Sequence, residues 1–282
     1  MLPRARRVHV LTAAWMVVAS ALVAAADPTV GGAAPAGGCS LEPTAGTVAR
    51  QLGDRTYDLH VPEGLSGPAV PLLLSLHGYG EPVGQHERET GWPAYAADHG
   101  FIVAFPDGVE RRWDFAAGSP DVAWFRDLVA DISARWCVDP RRVYAEGYSN
   151  GAMMVERLAC DIPDVIAAVA AYGGASPAGF GGACVPSRPV AVGIFHSLLD
   201  PISSYPIGVA NREEWISRNG CPAPGSSEPG VLLEAIRYAP CLSGVEVVWR
   251  VYGFQSHNWP AGPDRIDIAD RMWALFERNP RP

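Results

Sequence analysis

The sequence predicts an α/β fold: a mostly parallel sheet with helices on both faces. Three observations carry that expectation. Continuous apolar runs at residues 70–76 (VPLLLSL) and 101–105 (FIVAF) have the composition of strands buried on both sides. Stretches with apolar residues three and four apart lie between such runs and predict helices packed on the sheet. Strand and helix signals alternate along the chain without an internal repeat or a second domain.

Taken in order, residues 47–51 and 56–61 flank Leu52-Gly53-Asp54-Arg55 and predict a hairpin. The two apolar strands at 70–76 and 101–105 follow, the second closed by Pro106-Asp107-Gly108. Residues 121–136 predict a helix, with Val122, Phe125, Val129, Ile132 and Trp136 on one stripe. A short strand is expected at 143–145 and a helix at 152–159. Buried strands at 165–172 and 189–195, a helix at 213–218, a last strand at 245–252 and a closing helix at 266–278 complete the reading.

The N-terminus predicts the compartment. Arg4, Arg6 and Arg7 precede an apolar run over 8–26, and Ala24 and Ala26 give an A-x-A pattern before Asp27. That order reads as a signal peptide over residues 1–26, cleaved rather than kept as an anchor, so the expected localisation is secreted and extracellular, without stable membrane association after cleavage. Residues 27–40 are rich in Gly, Ala and Pro and read as a flexible lead-in. Ala36-Gly37-Gly38-Cys39 only faintly resembles a lipid-attachment box. Residues 41–282 then form one catalytic domain.

The formal charge is -8, and losing three signal arginines takes it to -11 (-8 - 3), which disfavours nucleic acid as a partner. All 22 basic residues are Arg, so Schiff-base lysine chemistry and a P-loop lysine are excluded. Six cysteines, Cys39, Cys137, Cys160, Cys184, Cys221 and Cys241, predict disulfides in an exported chain. Their spacing lacks C-x-x-C, so zinc and redox motifs are not expected, and fifteen connectivities remain open. The sequence offers no cofactor or metal site.

The chemistry centres on Gly147-Tyr148-Ser149-Asn150-Gly151. A bare G-x-S-x-G is a weak signal in a chain with 30 Gly, but here a strand precedes it and a helix follows. A serine on such a turn is lifted above the sheet and needs small neighbours, which makes Ser149 the expected nucleophile. Serine requires a base, and the base a partner that holds its tautomer. Two histidines follow Ser149. His196 ends an apolar strand and reads as a satisfied core residue, whereas His257 lies in the loop after the last strand, where the base belongs. Asp200, in the loop after 189–195, is the expected acid; Asp161 and Asp164 read as helix-end residues. The N–H groups of Asn150 and of Tyr79, in Leu76-His77-Gly78-Tyr79-Gly80, are the expected oxyanion donors. A dinucleotide-loop reading of Gly78-x-Gly80 fails because the next Gly is Gly84 and no clear helix start follows.

These residues in this order resemble the secreted esterase family of polyhydroxybutyrate depolymerases and feruloyl esterases (carbohydrate esterase family 1), of α/β-hydrolase fold. The resemblance runs from about Cys39 to the last helix. It rests on Leu76-His77-Gly78, on the run from Cys137-Val138-Asp139-Pro140 through Gly147-Tyr148-Ser149-Asn150-Gly151 to Leu158-Ala159-Cys160, on 196–200, and on His257-Asn258-Trp259-Pro260. It implies Ser149, Asp200 and His257 as triad, Tyr79 and Asn150 as oxyanion donors, and pairing of Cys221 with Cys241, Cys160 with Cys184 and Cys39 with Cys137. Two departures, Ser197 after His196 and Phe254-Gln255-Ser256 before the base, alter the mouth of the site.

The implied activity is ester hydrolysis on feruloyl-type groups of plant cell-wall polysaccharide, with Trp124 and Trp259 as candidates to stack on a phenolic ring. A short-chain hydroxyalkanoate polyester is the alternative substrate. An acyltransferase differs only in its acceptor, and a catalytically silent wall-associated binding protein would be marked by loss of a triad member.

Overall fold

The computed structural model describes residues 45–65, 69–228, 233–253 and 256–282. The signal peptide, the lead-in and Cys39 lie outside the described residues, as do Phe254 and Gln255. The chain opens with the expected hairpin, β1 (Gly46–Leu52) and β2 (Arg55–Val61), turned at Gly53-Asp54. Then come β3 (Val70–Leu76), α1 (Val83–Thr90), α2 (Trp92–His99), β4 (Ile102–Pro106), α3 (Pro120–Arg135), β5 (Val138–Tyr148) and α4 (Asn150–Asp161). β6 (Ala168–Tyr172), the short α5 (Pro177–Phe180), β7 (Ala191–Ser197) and α6 (Tyr205–Arg218) follow. β8 (Ser226–Ser227), β9 (Glu234–Tyr238), β10 (Val247–Tyr252) and α7 (Pro263–Arg278) end the chain.

The described strands form one sheet in the order β1-β2-β4-β3-β5-β6-β7-β10-β9-β8. From β4 to β10 every neighbouring pair is parallel, and an antiparallel pair extends each edge. The central strands are wholly buried because helices cover both faces, as their unbroken apolar sequences require. Successive side chains alternate between those faces. Leu72, Leu74 and Leu76 pack in one core with α3, α4 and Trp215 of α6; Leu73 and Val103 pack in the other with Trp92 of α2 and Met272, Trp273 and Phe276 of α7.

Several elements depart from the sequence expectation. The strand expected at 143–145 runs over Val138–Tyr148; its extension through Asp139, Pro140, Arg141 and Arg142 is partly exposed and mostly charged, so no apolar run marks it in the sequence. β6 begins at Ala168, the preceding residues being held in a turn by Val165 N–H and Ile166 N–H to Ile162 O. α6 begins at Tyr205, eight residues before the expected start of 213, with Pro206 and Gly208 obscuring its first turns. A helix does start soon after Gly80: α1 begins at Val83 behind Pro82, without a side-chain cap, and α2 follows a left-handed Gly91. Neither start carries the Ser, Thr, Asp or Asn that marks a helix N-terminus in sequence.

Cys160–Cys184 and Cys221–Cys241 are disulfides, pinning the end of α4 to the 184 loop and α6 to the β9–β10 connection. Cys137 is disulfide-bonded as well, and the pairing with Cys39 falls on a residue outside the description. The Cys160–Cys184 bridge closes a separation of 24 residues. Loop entropy gives such a bridge about 3 kcal/mol of stability. The Cys160→Ala/Cys184→Ala variant is accordingly expected to unfold at lower urea concentration by about that free energy, with an unchanged circular dichroism spectrum in buffer.

Candidate active site

The geometry of Ser149 begins with two glycines. A Cβ on Gly147 would lie 2.4 Å from the backbone of Gly151, and one on Gly151 would lie 2.2 Å from Leu76 O. Glycine is the residue that lets α4 start this close to β3 and β5. Between them Ser149 is held at φ 53° and ψ -114°, a conformation L side chains rarely adopt. Its N–H donates to Tyr172 O at 2.9 Å, and its C=O accepts from Met153 N–H at 3.2 Å. The turn therefore projects Ser149 at the mouth of α4, where the first N–H groups have no intrahelical acceptor.

The structure brings the three candidate catalytic side chains together. His257 Nε2 is 2.8 Å from Ser149 Oγ, and His257 Nδ1 is 2.7 Å from Asp200 Oδ2. With Nδ1–H donating to the carboxylate, Nε2 is free to accept the serine proton. Asp200 is buried, and its second oxygen accepts from Ile202 N–H and Ser203 N–H, each at 2.8 Å. The histidine loop is anchored by Tyr148, whose hydroxyl donates to His257 O at 2.5 Å while its ring packs 5.3 Å from the imidazole.

Tyr79 follows β3 in a turn closed by Glu81 N–H to Gly78 O, with Gly80 at φ 74°. Gly78 N–H donates to Glu81 Oε2 at 2.8 Å, and a Cβ on Gly78 would lie 2.8 Å from the Tyr148 ring. Among the described residues neither Tyr79 N–H nor Asn150 N–H has an acceptor. The Asn150 side chain is engaged elsewhere: Oδ1 accepts from Trp113 N–H at 2.7 Å and Nδ2 donates to Trp113 O. Trp113 in turn donates its indole N–H to His77 O at 2.9 Å. His77 accepts Gly108 N–H at Nε2 and donates from Nδ1 to Gly78 O; burial lowers its pKa, keeping it neutral. Trp113, Glu81 and the His77 tautomer thus tie the Tyr79 loop to the serine turn. Their roles depend on contacts across the fold, and no local motif announces them.

Beneath that loop lies a buried cluster of three ionisable groups. His86 is wholly buried, with Nδ1 3.5 Å from Glu81 Oε2 and Nε2 3.7 Å from Glu146 Oε1. Burial alone would lower the His86 pKa, yet the Glu146 and Glu81 carboxylates raise it to about 9. Burial acts to raise Glu81, and His86 and Gly78 N–H outweigh it, leaving its pKa lowered. Glu146 also accepts from Ser75 Oγ and from Trp92 Nε1.

The remaining candidates separate. Trp259 is buried behind Tyr148, its ring edge-on to Tyr148, Tyr172 and His86. Trp124 is not brought to the serine: its indole donates to Leu52 O, and Arg55 stacks 4.4 Å over the ring, so it packs the hairpin onto α3. His196 is buried as expected, against Trp249 and Gly208; burial lowers its pKa, opposed by Asp200 and by the backbone of Ser203 and Ser204. Asp161 ends α4 and accepts from Gly118 N–H and Arg157, while Asp164 lies in the turn beyond and pairs with Arg126.

The family described as Esterase PHB depolymerase matches residues 55–210. The chain belongs to that family. It is 32% identical to feruloyl esterase B of Piromyces equi over 212 residues, covering 66% of this chain and 39% of that protein. It is 29% identical to feruloyl esterase D of Neurospora crassa over 279 residues, covering 91% and 95%. The chain thus spans about two-fifths of the first relative and nearly all of the second. Acetyl xylan esterase from Aspergillus awamori has the same fold, with TM-score 0.66 at 16% identity, over 79% of this chain and 94% of that one.

The charge cluster makes a pH-dependent prediction. A histidine whose pKa is raised on folding from 6.5 to about 9 contributes stability that is fully present below about 6.5 and lost as pH rises through 9. The melting temperature is expected to fall between pH 7 and 9.5. His86→Gln is expected to melt lower at pH 7 and to show a shallower fall over that range, read by differential scanning calorimetry.

Proposed function

We propose that this protein is a secreted serine esterase that hydrolyses feruloyl-type esters of plant cell-wall polysaccharide through an acyl-enzyme. The observation that carries the reading is the unbroken chain from Ser149 Oγ through His257 to Asp200 Oδ2, at 2.8 and 2.7 Å. His257 Nε2 takes the proton of Ser149 as Oγ attacks the ester carbonyl, and Asp200 holds the imidazole and the charge it gains. The N–H groups of Tyr79 and Asn150 receive the developing oxyanion. Collapse of the tetrahedral intermediate expels the alcohol, protonated by His257. Water, deprotonated by the same nitrogen, then releases the acid and regenerates Ser149.

The feruloyl assignment is supported by the names of two relatives, one of which aligns over nearly the whole chain. The N-terminal signal pattern and the disulfides support export. The family description supports a second substrate reading, a hydroxyalkanoate polyester. A silent binding protein is disfavoured, since all three triad side chains are present and in hydrogen-bond reach of one another.

Hydrolysis of p-nitrophenyl acetate, methyl ferulate and a 3-hydroxybutyrate oligomer by the protein and its variants tests this directly. Ser149→Ala is expected to abolish turnover with its melting temperature kept, and Asp200→Asn to lower kcat by about 10⁴-fold. Methyl ferulate is expected to be the best substrate of the three. Preference for the oligomer would establish the polyester reading. Undiminished turnover by Ser149→Ala would overturn the mechanism.

A further inference from the structure

Beside the histidine loop lies a cavity of about 590 Å³, between α1 and the Asn258 to Gly262 turn, with Tyr148 and Trp259 in its wall. Its volume is that of a small-ligand site. The groups that face it point to the chemistry of the ligand. Nearly every arginine among the described residues is committed to a carboxylate, a carbonyl or a ring. The side chains of Arg88, Arg111 and Arg265 are the exceptions, making no hydrogen bond, ion pair or ring contact among the described residues. Two of those three, Arg88 and Arg265, line this one cavity. Arg88 Nη1 lies 3.6 Å from a Cβ built on Gly84, and the Arg265 guanidinium carbon 3.8 Å from one on Gly91. Their cationic ends therefore lie at opposite ends of α1, about 10 Å apart along its axis.

In a chain of formal charge -8, leaving two guanidinium groups without partners on one wall is not explained by stability. Two carboxylates also line the cavity. Glu81 is turned inward onto Gly78 N–H and the His86 imidazolium, so its charge is compensated from within. Glu89 accepts from Gln85 Nε2. Trp259, in the same wall, is 94% buried, and its indole nitrogen is itself shielded from solvent, with no acceptor among the described residues. Two guanidinium groups uncommitted within the described residues suit a ligand rich in acceptor oxygens and carrying negative charge.

We propose that this cavity is a subsite for a carboxylate-bearing sugar, a uronate residue in the polysaccharide that carries the scissile ester. The inference rests on the ester reading for its position: the turn that bounds the cavity directly follows His257. Arg88 or Arg265 pairs with the carboxylate. The exposed guanidinium groups make the interaction sensitive to salt.

The test is calorimetric titration of the Ser149→Ala protein with digalacturonate and with neutral galactobiose. Digalacturonate is expected to bind at least about tenfold more tightly than galactobiose. The preference is expected to shrink at 0.5 M salt and to disappear in the Ser149→Ala/Arg88→Gln/Arg265→Gln protein, whose melting temperature serves as the folding control. Equal binding of the two sugars, or unchanged digalacturonate binding in the triple variant, would overturn the proposal. Neither ligand carries an ester, so this outcome is independent of catalysis. Failure of the wild-type protein to hydrolyse methyl ferulate, with digalacturonate binding intact, would instead remove the feruloyl reading and leave the subsite.

Discussion

The left-handed turn at Ser149 is the constraint on which the rest of the site depends. A non-glycine residue held at φ 53° costs on the order of 1–3 kcal/mol, so its surroundings must leave it no alternative. Here the strand hydrogen bond to Tyr172 O and the first helical bond from Met153 N–H fix the turn from both sides. The approach of Gly151 to Leu76 O and His77 O supplies the third restraint. That last contact couples two parts of the site. Leu76 and His77 lead directly into the loop that presents Tyr79 N–H, so the packing that strains the serine also sets the position of that loop. Ser149 and the Tyr79 N–H are registered to each other through backbone, without a flexible side chain between them.

The same loop is held from below by charge. Glu81 bonds the Gly78 amide, and an anion buried to that depth requires compensation. His86 supplies it and shares its charge with Glu146, which belongs to β5, the strand that ends one residue before Ser149. A cation between two carboxylates is costly to assemble and costly to break in part. It specifies one relative position of α1, β5 and the loop after β3. The distances of 3.5 and 3.7 Å are those of ion pairs rather than tight hydrogen bonds, so orientation comes from the Gly78 amide and neutralisation from the imidazole.

How much of this was legible in the sequence follows from where the causes lie. The central strands were readable because burial on both faces leaves an unbroken apolar run, as in 70–76. The serine turn was readable because its steric demands fall on neighbouring residues, Gly147 and Gly151. Asp200 and His257 were readable from their order after Ser149 and their place behind strands. α1 and α2 were not, since their N-termini are set by Pro82 and by the left-handed Gly91 rather than by capping side chains. Trp124 and Trp259 are equally aromatic and equally near polar residues in sequence. Only the packing of α3 on the hairpin directs one ring to Arg55, and only the histidine loop directs the other toward Tyr148. Contacts between residues far apart in the chain decide such cases, and a local pattern does not contain them.

The absence of lysine makes the arginines unusually informative. A guanidinium can satisfy several carbonyls at once, and the fold uses this repeatedly. Arg157, wholly buried, donates to carbonyls of Phe115, Ala183, Gly181 and Gly182, and so gathers the connections around α5 onto α4. Arg188 gathers Pro163, Pro189 and Ile166 in the same way, and burial lowers its pKa. Arg250, buried in β10, reaches both Glu228 and Asp267, linking the edge of the sheet to α7. Where arginine serves as the internal fastening of loops, a guanidinium left open to a cavity is set apart from the structural ones by its lack of a partner. The distinction is physical: Arg157, Arg188 and Arg250 spend their donors on the chain itself, whereas the side chains of Arg88 and Arg265 make no such bond among the described residues.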